Sequence, residues 1–205
     1  MGKHELPVDS APKSADGGKT RVRDRIFDTA CDLFYRHGIR CVGVDAIASE
    51  AGTNKMSFYR SFASKDELVA EYLREQERLH WEWWESTIAP YPGDARRQIE
   101  ALFEGYVGKL RKKDRHGCAF INAAVELREA EHPALDVVHA SKAEMRRRFR
   151  KLAKEAGADT PDVLGDALTL LAEGGAMTRL SFACQEGPGM NGPKIVRKLL
   201  DAYLN

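Results

Sequence analysis

The chain has little of what most enzyme classes require. Its four cysteines, Cys31, Cys41, Cys118 and Cys184, lie far apart with no CxxC. That excludes a disulfide framework or a zinc ribbon, and reduced, buried thiols are the expectation. Six histidines give no HExxH and no pair at i, i+4. His116 beside Cys118, and His132 near His139, match no standard metal spacing, so neither a metal nor a cofactor is expected. GxSxG, a Walker loop and GxGxxG are all missing, and no segment alternates as a strand would. No apolar run reaches the roughly 18 residues of a membrane span, and the N-terminus has no apolar leader. A cytoplasmic protein with no membrane partner is expected. The formal net charge is only +1, which argues against general polyanion binding, so any nucleic-acid contact must come from a local patch.

What is present is helical and amphipathic. A hydrophobic content of 43% is enough for a core, and 31% charged residues suit a helical protein in water. Residues 44–65, VDAIASEAGTNKMSFYRSFASK, organise the rest. Val44, Ile47, Ala48 and Ala51 fall at i, i+3, i+4, i+7, on one helical face. Gly52 supplies the left-handed residue at that helix's end, and Thr53 or Asn54 can cap the next. This second helix has about two turns, too few to persist alone. Phe58 and Phe62 face inward. Met56 and Arg60 point the other way, flanked by Ser57 and Tyr59. No acid occurs between Glu50 and Asp66, while Lys55, Arg60 and Lys65 are basic. Such a two-helix unit suits either a DNA-reading helix-turn-helix or a plain helical hairpin with solvated charges.

The wording of the segment favours the reader. Val44, Ile47, Ala48, Ala51, Gly52, Phe58, Tyr59, Phe62, Ser64, Lys65 and Leu68 match the pattern V-x-x-I-A-x-x-A-G, (L/F)-Y-x-x-F, x-S-K-x-x-L, and the stretch resembles the DNA-binding motif of the tetracycline-repressor (TetR) family. The resemblance implies an all-α chain: a three-helix DNA-binding domain over 21–66, then a helical ligand-binding and dimerisation domain over 67–205. Residues 1–20 read as a disordered arm, whose Lys13 and Lys19, with Arg21, could reach a minor groove or do nothing. The resemblance also implies contacts to double-stranded operator DNA. They are Arg60 to a base edge, Lys55, Tyr59 and Lys65 to phosphate, and Asn54 and Ser57 beside them. Arg23 and Arg25, on the first helix, are further phosphate candidates. Two positions depart from the family. Gly43 replaces a capping, phosphate-binding threonine, and Met56 stands where a small residue is usual and could meet a thymine methyl group.

Further along, a first helix over about 21–37 carries Ile26, Ala30, Leu33 and Phe34 inward and ends at Gly38. Ser64 and Glu67 form a capping box for a helix running to about Ser86, whose Trp81, Trp83 and Trp84 are either core or cavity wall. Helices are expected over 94–113, from about Cys118 to just before Pro133, over 133–156, over 161–184 and over 192–204. GCAFINAAVEL (117–127) resembles the sixth helix of one branch of the family. The run Arg146, Arg147, Arg148, Arg150 and Lys151 is either a solvated face or a second nucleic-acid surface. Glu126 and Glu173 lie on otherwise apolar helices and could be buried carboxylates. The last two helices either finish the monomer core or, as the resemblance implies, pair with their copies in a homodimer.

The expected function is a dimeric DNA-binding transcriptional regulator, a repressor released by a small hydrophobic effector. The alternative is a helical small-molecule-binding protein or enzyme whose N-terminal unit is only a scaffold. Candidate ligand residues are Trp84, Phe103, Tyr106, Val107, Phe120, Asn122, Glu126, His139, Met145 and Met177, mostly aromatic or apolar with a few polar handles.

Overall fold

The computed structural model describes residues 21–112, 116–128, 131–182 and 187–204. The expected arm at 1–20 and Cys184 lie outside them. Among the described residues the chain is all-α: α1 (Val22–His37), α2 (Val44–Glu50), α3 (Lys55–Ser61), α4 (Lys65–Ile88), α5 (Ala95–Leu110), α6 (Ala119–Glu126), α7 (Pro133–Glu155), α8 (Pro161–Ser181) and α9 (Gly192–Tyr203), with a 3₁₀ turn at Pro188–Asn191 before α9.

Helix ends follow the local chemistry. Gly52, at φ +63°, closes α2. Its N–H donates to the Ser49 carbonyl and the Thr53 N–H to that of Ala48, the paired bonds of a Schellman motif. Asn54, not Thr53, caps α3, its side chain accepting from Ser57 N–H at 3.0 Å. Ser64 caps α4 by accepting from Glu67 N–H, also at 3.0 Å, and Asp94 caps α5. At Gly43 the cap of α2 makes no side-chain hydrogen bond, as the missing hydroxyl requires.

One expectation needs correction. The helix opening near Cys118 stops at Glu126 rather than just before Pro133, because Leu127 leaves helical geometry and buries its side chain. No sequence signal anticipated the 3₁₀ turn at Pro188–Asn191.

The core has two parts. One joins Ile26, Phe34, Ile47, Phe58 and Phe62 of α1–α3 to Leu68, Tyr72 and Leu73 at the start of α4, and to Phe120 and Ala123 of α6. The other joins Trp84, Ile99, Leu102 and Phe149 to Leu164, Leu168, Val196 and Leu200. α4 enters both, so it joins the N-terminal unit to the body. α7 and α8 cross at Gly165, where an added Cβ would lie 2.6 Å from the Arg150 Cα. Only glycine permits that approach. Outside, α8 presents Val163 at 54% exposure and Leu170 at 73%.

The basic run on α7 is neutralised. Arg146 and Arg150 both grip Asp166, at 2.7 and 2.8 Å. Arg147 and Arg148 both hold Glu144 at 2.7 Å. A phosphate chain would have to displace these acids, so the run is a paired, solvated face.

Candidate nucleic-acid interface and internal cavity

α3 is short, and two aromatic anchors hold it. Phe58 is fully buried and Phe62 nearly so, their ring centroids 5.8 Å apart. With that face fixed against α1 and α2, the opposite face must look outward. Met56 is 65% exposed and Tyr59 51%, and Asn54, Lys55 and Arg60 are exposed beside them. Ser57 is half-buried, its N–H held by the Asn54 cap. Arg60 makes no ion pair among the described residues. Lys55 lies 3.3 Å from Asp45, an exposed pair that costs little to break. The surface from Asn54 to Arg60 is therefore polar, basic and carried on a rigid two-helix unit.

Three basic residues expected beside it are engaged elsewhere. The Lys65 ammonium turns inward and donates to the Ile39 carbonyl at 2.6 Å. Burial pushes that ammonium below its ordinary range, against the opposing pull of Asp66 and Glu126. It stitches α4 to the turn after α1 rather than presenting its charge to phosphate. Arg23 Nη2 donates to both Glu71 carboxylate oxygens, at 2.7 and 2.8 Å, and the guanidinium lies 4.7 Å over the Phe62 ring. Arg25 Nε donates to the Ala51 carbonyl at 3.3 Å, tying α1 to the end of α2. Sequence could place these three near the motif, but their direction depends on partners 26 to 48 residues away.

Residues 26–72 match the family described as "Bacterial regulatory proteins, tetR family". Those residues are a TetR-family domain. The chain is 42% identical over 55 residues to the HTH-type transcriptional repressor SCO4008 of Streptomyces coelicolor, covering 27% of this chain and 29% of that protein. It is 38% identical over 63 residues to the HTH-type transcriptional repressor KstR2 of Rhodococcus jostii, covering 31% of each. The chain thus matches under a third of the length of these curated relatives. A solved structure is similar over most of the chain. The crystal structure of SCO4454, a TetR-family transcriptional regulator from Streptomyces coelicolor, superposes with a TM-score of 0.84 at 27% identity, covering 90% of this chain and 96% of that one.

Tyr35 of α1 and residues of α4 to α9 line a cavity of about 320 Å³, near the lower end of the range for small-molecule sites. Five of the ten expected ligand residues line it: Phe103, Tyr106, Val107, Phe120 and Met145. The other five do not. Trp84 is packed into the core against Phe149, centroids 4.9 Å apart. Asn122 donates to the His116 carbonyl at 2.8 Å. Glu126 accepts from Arg40 N–H at the TetR domain. His139 is exposed on α7, and Met177, 39% exposed, lies on the outer side of α8.

The polar corner of the cavity escaped the sequence reading. Lys142 on α7 donates to Glu173 on α8 at 2.6 Å and lies 3.6 Å from the Cys118 sulfur. Burial alone would push its ammonium down, but Cys118 and Glu173 hold it above the ordinary lysine range. The sequence marks Glu173 as an acid on an apolar helix. Its partner sits 31 residues earlier, and only the crossing of α7 and α8 brings them together. No cluster of three or more potential metal ligands occurs among the described residues, and no described helix is long and apolar enough to cross a membrane.

Proposed function

We propose that the protein is a dimeric, sequence-specific DNA-binding transcriptional regulator, a repressor released from its operator by a small hydrophobic effector. The single observation that carries the reading is the exposed, acid-free face of α3, from Asn54 to Arg60, held on a TetR-family domain. Two copies related by a two-fold axis would set two α3 helices into successive major grooves, about 34–36 Å apart. Arg60 would meet a base edge and Met56 a thymine methyl group, with Lys55, Ser57, Tyr59 and Asn54 on phosphate or flanking edges.

The apolar outer face of α8, with Val163, Leu170 and Leu180 all more than half exposed, supports dimerisation through α8 and α9, since exposed apolar surface of that extent favours burial against a partner. The cavity supports an effector site. An effector shifts DNA affinity only through its different affinity for the two states of the protein. The division into a DNA-binding unit at 21–66 and an effector and dimer unit at 67–205 belongs to the same reading, as does a cytoplasmic location and the lack of an enzymatic role.

A mobility-shift titration on the DNA upstream of the protein's own gene tests it, alongside sedimentation of the free protein. The expected result is a dimer that retards that fragment at least tenfold more tightly than an unrelated fragment at equal salt. A folded protein that binds both fragments equally, or neither, would favour a scaffold role for residues 21–66.

A further inference from the structure

The cavity wall is mostly apolar, with Gln76, His80, Lys109, Thr178 and Arg179 as scattered polar groups, and at the corner where α5, α6, α7 and α8 meet one buried donor is left without a partner. The Tyr106 hydroxyl is fully buried and has no hydrogen-bond partner among the described residues. It lies close enough to Cys118 and Glu173 for both to act on it electrostatically. Lys142 has three N–H donors. Glu173 takes one and the Cys118 sulfur another, and the ammonium lies 5.3 Å from the centre of the Phe120 ring, so the donor left unmade is the Tyr106 hydroxyl. An unmade bond at a buried donor is costly, and an occupant bringing an acceptor would recover it. The occupant's charge is also constrained. At this corner Lys142 is already neutralised by Glu173, so a carboxylate placed beside Tyr106 would be repelled by the first, while Lys109 and Arg179 lie elsewhere on the wall. The volume of about 320 Å³ corresponds to about ten waters at the roughly 30 Å³ that each occupies in the liquid, room for a molecule of about two rings.

We infer that the cavity takes an uncharged, largely apolar molecule of two-ring size bearing a carbonyl oxygen, which accepts a hydrogen bond from Tyr106 with Lys142 alongside. This rests on the reading of the cavity as the effector site and narrows its ligand class. Tyr106 is then a specificity residue, and the rest of the wall, Phe103, Val107, Phe120 and Met145 among it, supplies shape.

The test uses three probes on one skeleton, titrated by calorimetry into the full-length protein: 1-tetralone, tetralin, and tetrahydro-1-naphthoate. The ketone should bind at least about fivefold tighter than the hydrocarbon, the worth of one net hydrogen bond, and tighter than the carboxylate. Tyr106→Phe should bring ketone and hydrocarbon to equal affinity. It should not lower the melting temperature of the ligand-free protein, because the hydroxyl has no bond to lose. Equal binding of ketone and hydrocarbon by the native protein, tighter binding of the carboxylate, or no binding of any probe would overturn the inference. A melting temperature lowered by Tyr106→Phe would also count against it, since the hydroxyl would then have a structural partner. DNA release is scored separately. Ketone preference without release would sustain the ligand class and sink the regulatory reading. Release by other compounds, with no ketone preference, would do the reverse.

Discussion

The Glu126 side chain, at the end of α6, accepts a 2.8 Å hydrogen bond from the backbone N–H of Arg40, in the turn between α1 and α2. The other end of α6 lines the cavity through Ala119 and Phe120. One eight-residue helix therefore touches both the cavity and the TetR domain. Glu126→Ala should lower stability by about 1 kcal/mol, the net worth of one such bond. It should also shrink the ratio of DNA affinities with and without effector, while effector affinity for the free protein changes little. Glu126→Gln, which keeps an acceptor, should retain most of that ratio. Urea midpoints and paired DNA titrations measure the two effects, and an unchanged ratio in Glu126→Ala would remove α6 from the coupling.

Lys65 and Lys55 should separate cleanly in salt titrations. Lys55→Ala is expected to lower the slope of log affinity against log salt by about one. Lys65→Met should leave the slope nearly unchanged, because its charge is turned to the Ile39 carbonyl, but should cost stability. Arg60→Ala should cost about 1–3 kcal/mol on the preferred operator and relax preference at one base pair. Equal weakening on all sequences would reassign Arg60 to phosphate.

Gly165→Ala should destabilise the body by about 1–3 kcal/mol or more, the range for overpacking. The added methyl would meet the Arg150 backbone, which cannot swing aside as a side-chain tip can. Gly174→Ala is the control on the same helix. An added Cβ there meets nothing within 4 Å, and the change should be neutral or slightly stabilising. Thermal melts of the two variants decide it.

Acid should erase one ion-pair cluster in a defined window. Hydrogen bonding from Arg147, and less strongly from Arg148, holds the Glu144 carboxyl down to about 2 from an ordinary 4.5. A carboxyl depressed in the folded state stabilises it above the unfolded value, and that contribution is lost as pH falls from 4.5 through 2. Glu144→Gln should therefore be less stable than the native chain at pH 7, by no more than about 1 kcal/mol for so accessible a cluster. The difference should vanish by pH 2. Urea midpoints at pH 7, 4.5, 3 and 2 follow the convergence, and a gap that persists at pH 2 would show a packing effect instead.

The local events were written in the chain itself. Gly52 ending α2, Asn54 as one of two possible caps for α3, Ser64 with Glu67 opening α4, and Phe58 and Phe62 facing inward all depend on groups within four residues of one another, so periodicity and capping chemistry suffice to place them. The exposed face of α3 follows from the same period. Only the tertiary structure decided where long side chains go and which helices touch. Lys65 and Arg23 bond to groups 26 and 48 positions away, Lys142 finds Glu173 across two crossing helices, and Trp84 falls into core while Phe103 falls on the cavity wall. Apolar side chains carry no local mark distinguishing a packed neighbour from an empty space. A flexible lysine or arginine stem can serve either water or a distant carbonyl, so its choice is fixed by what the fold places within its reach.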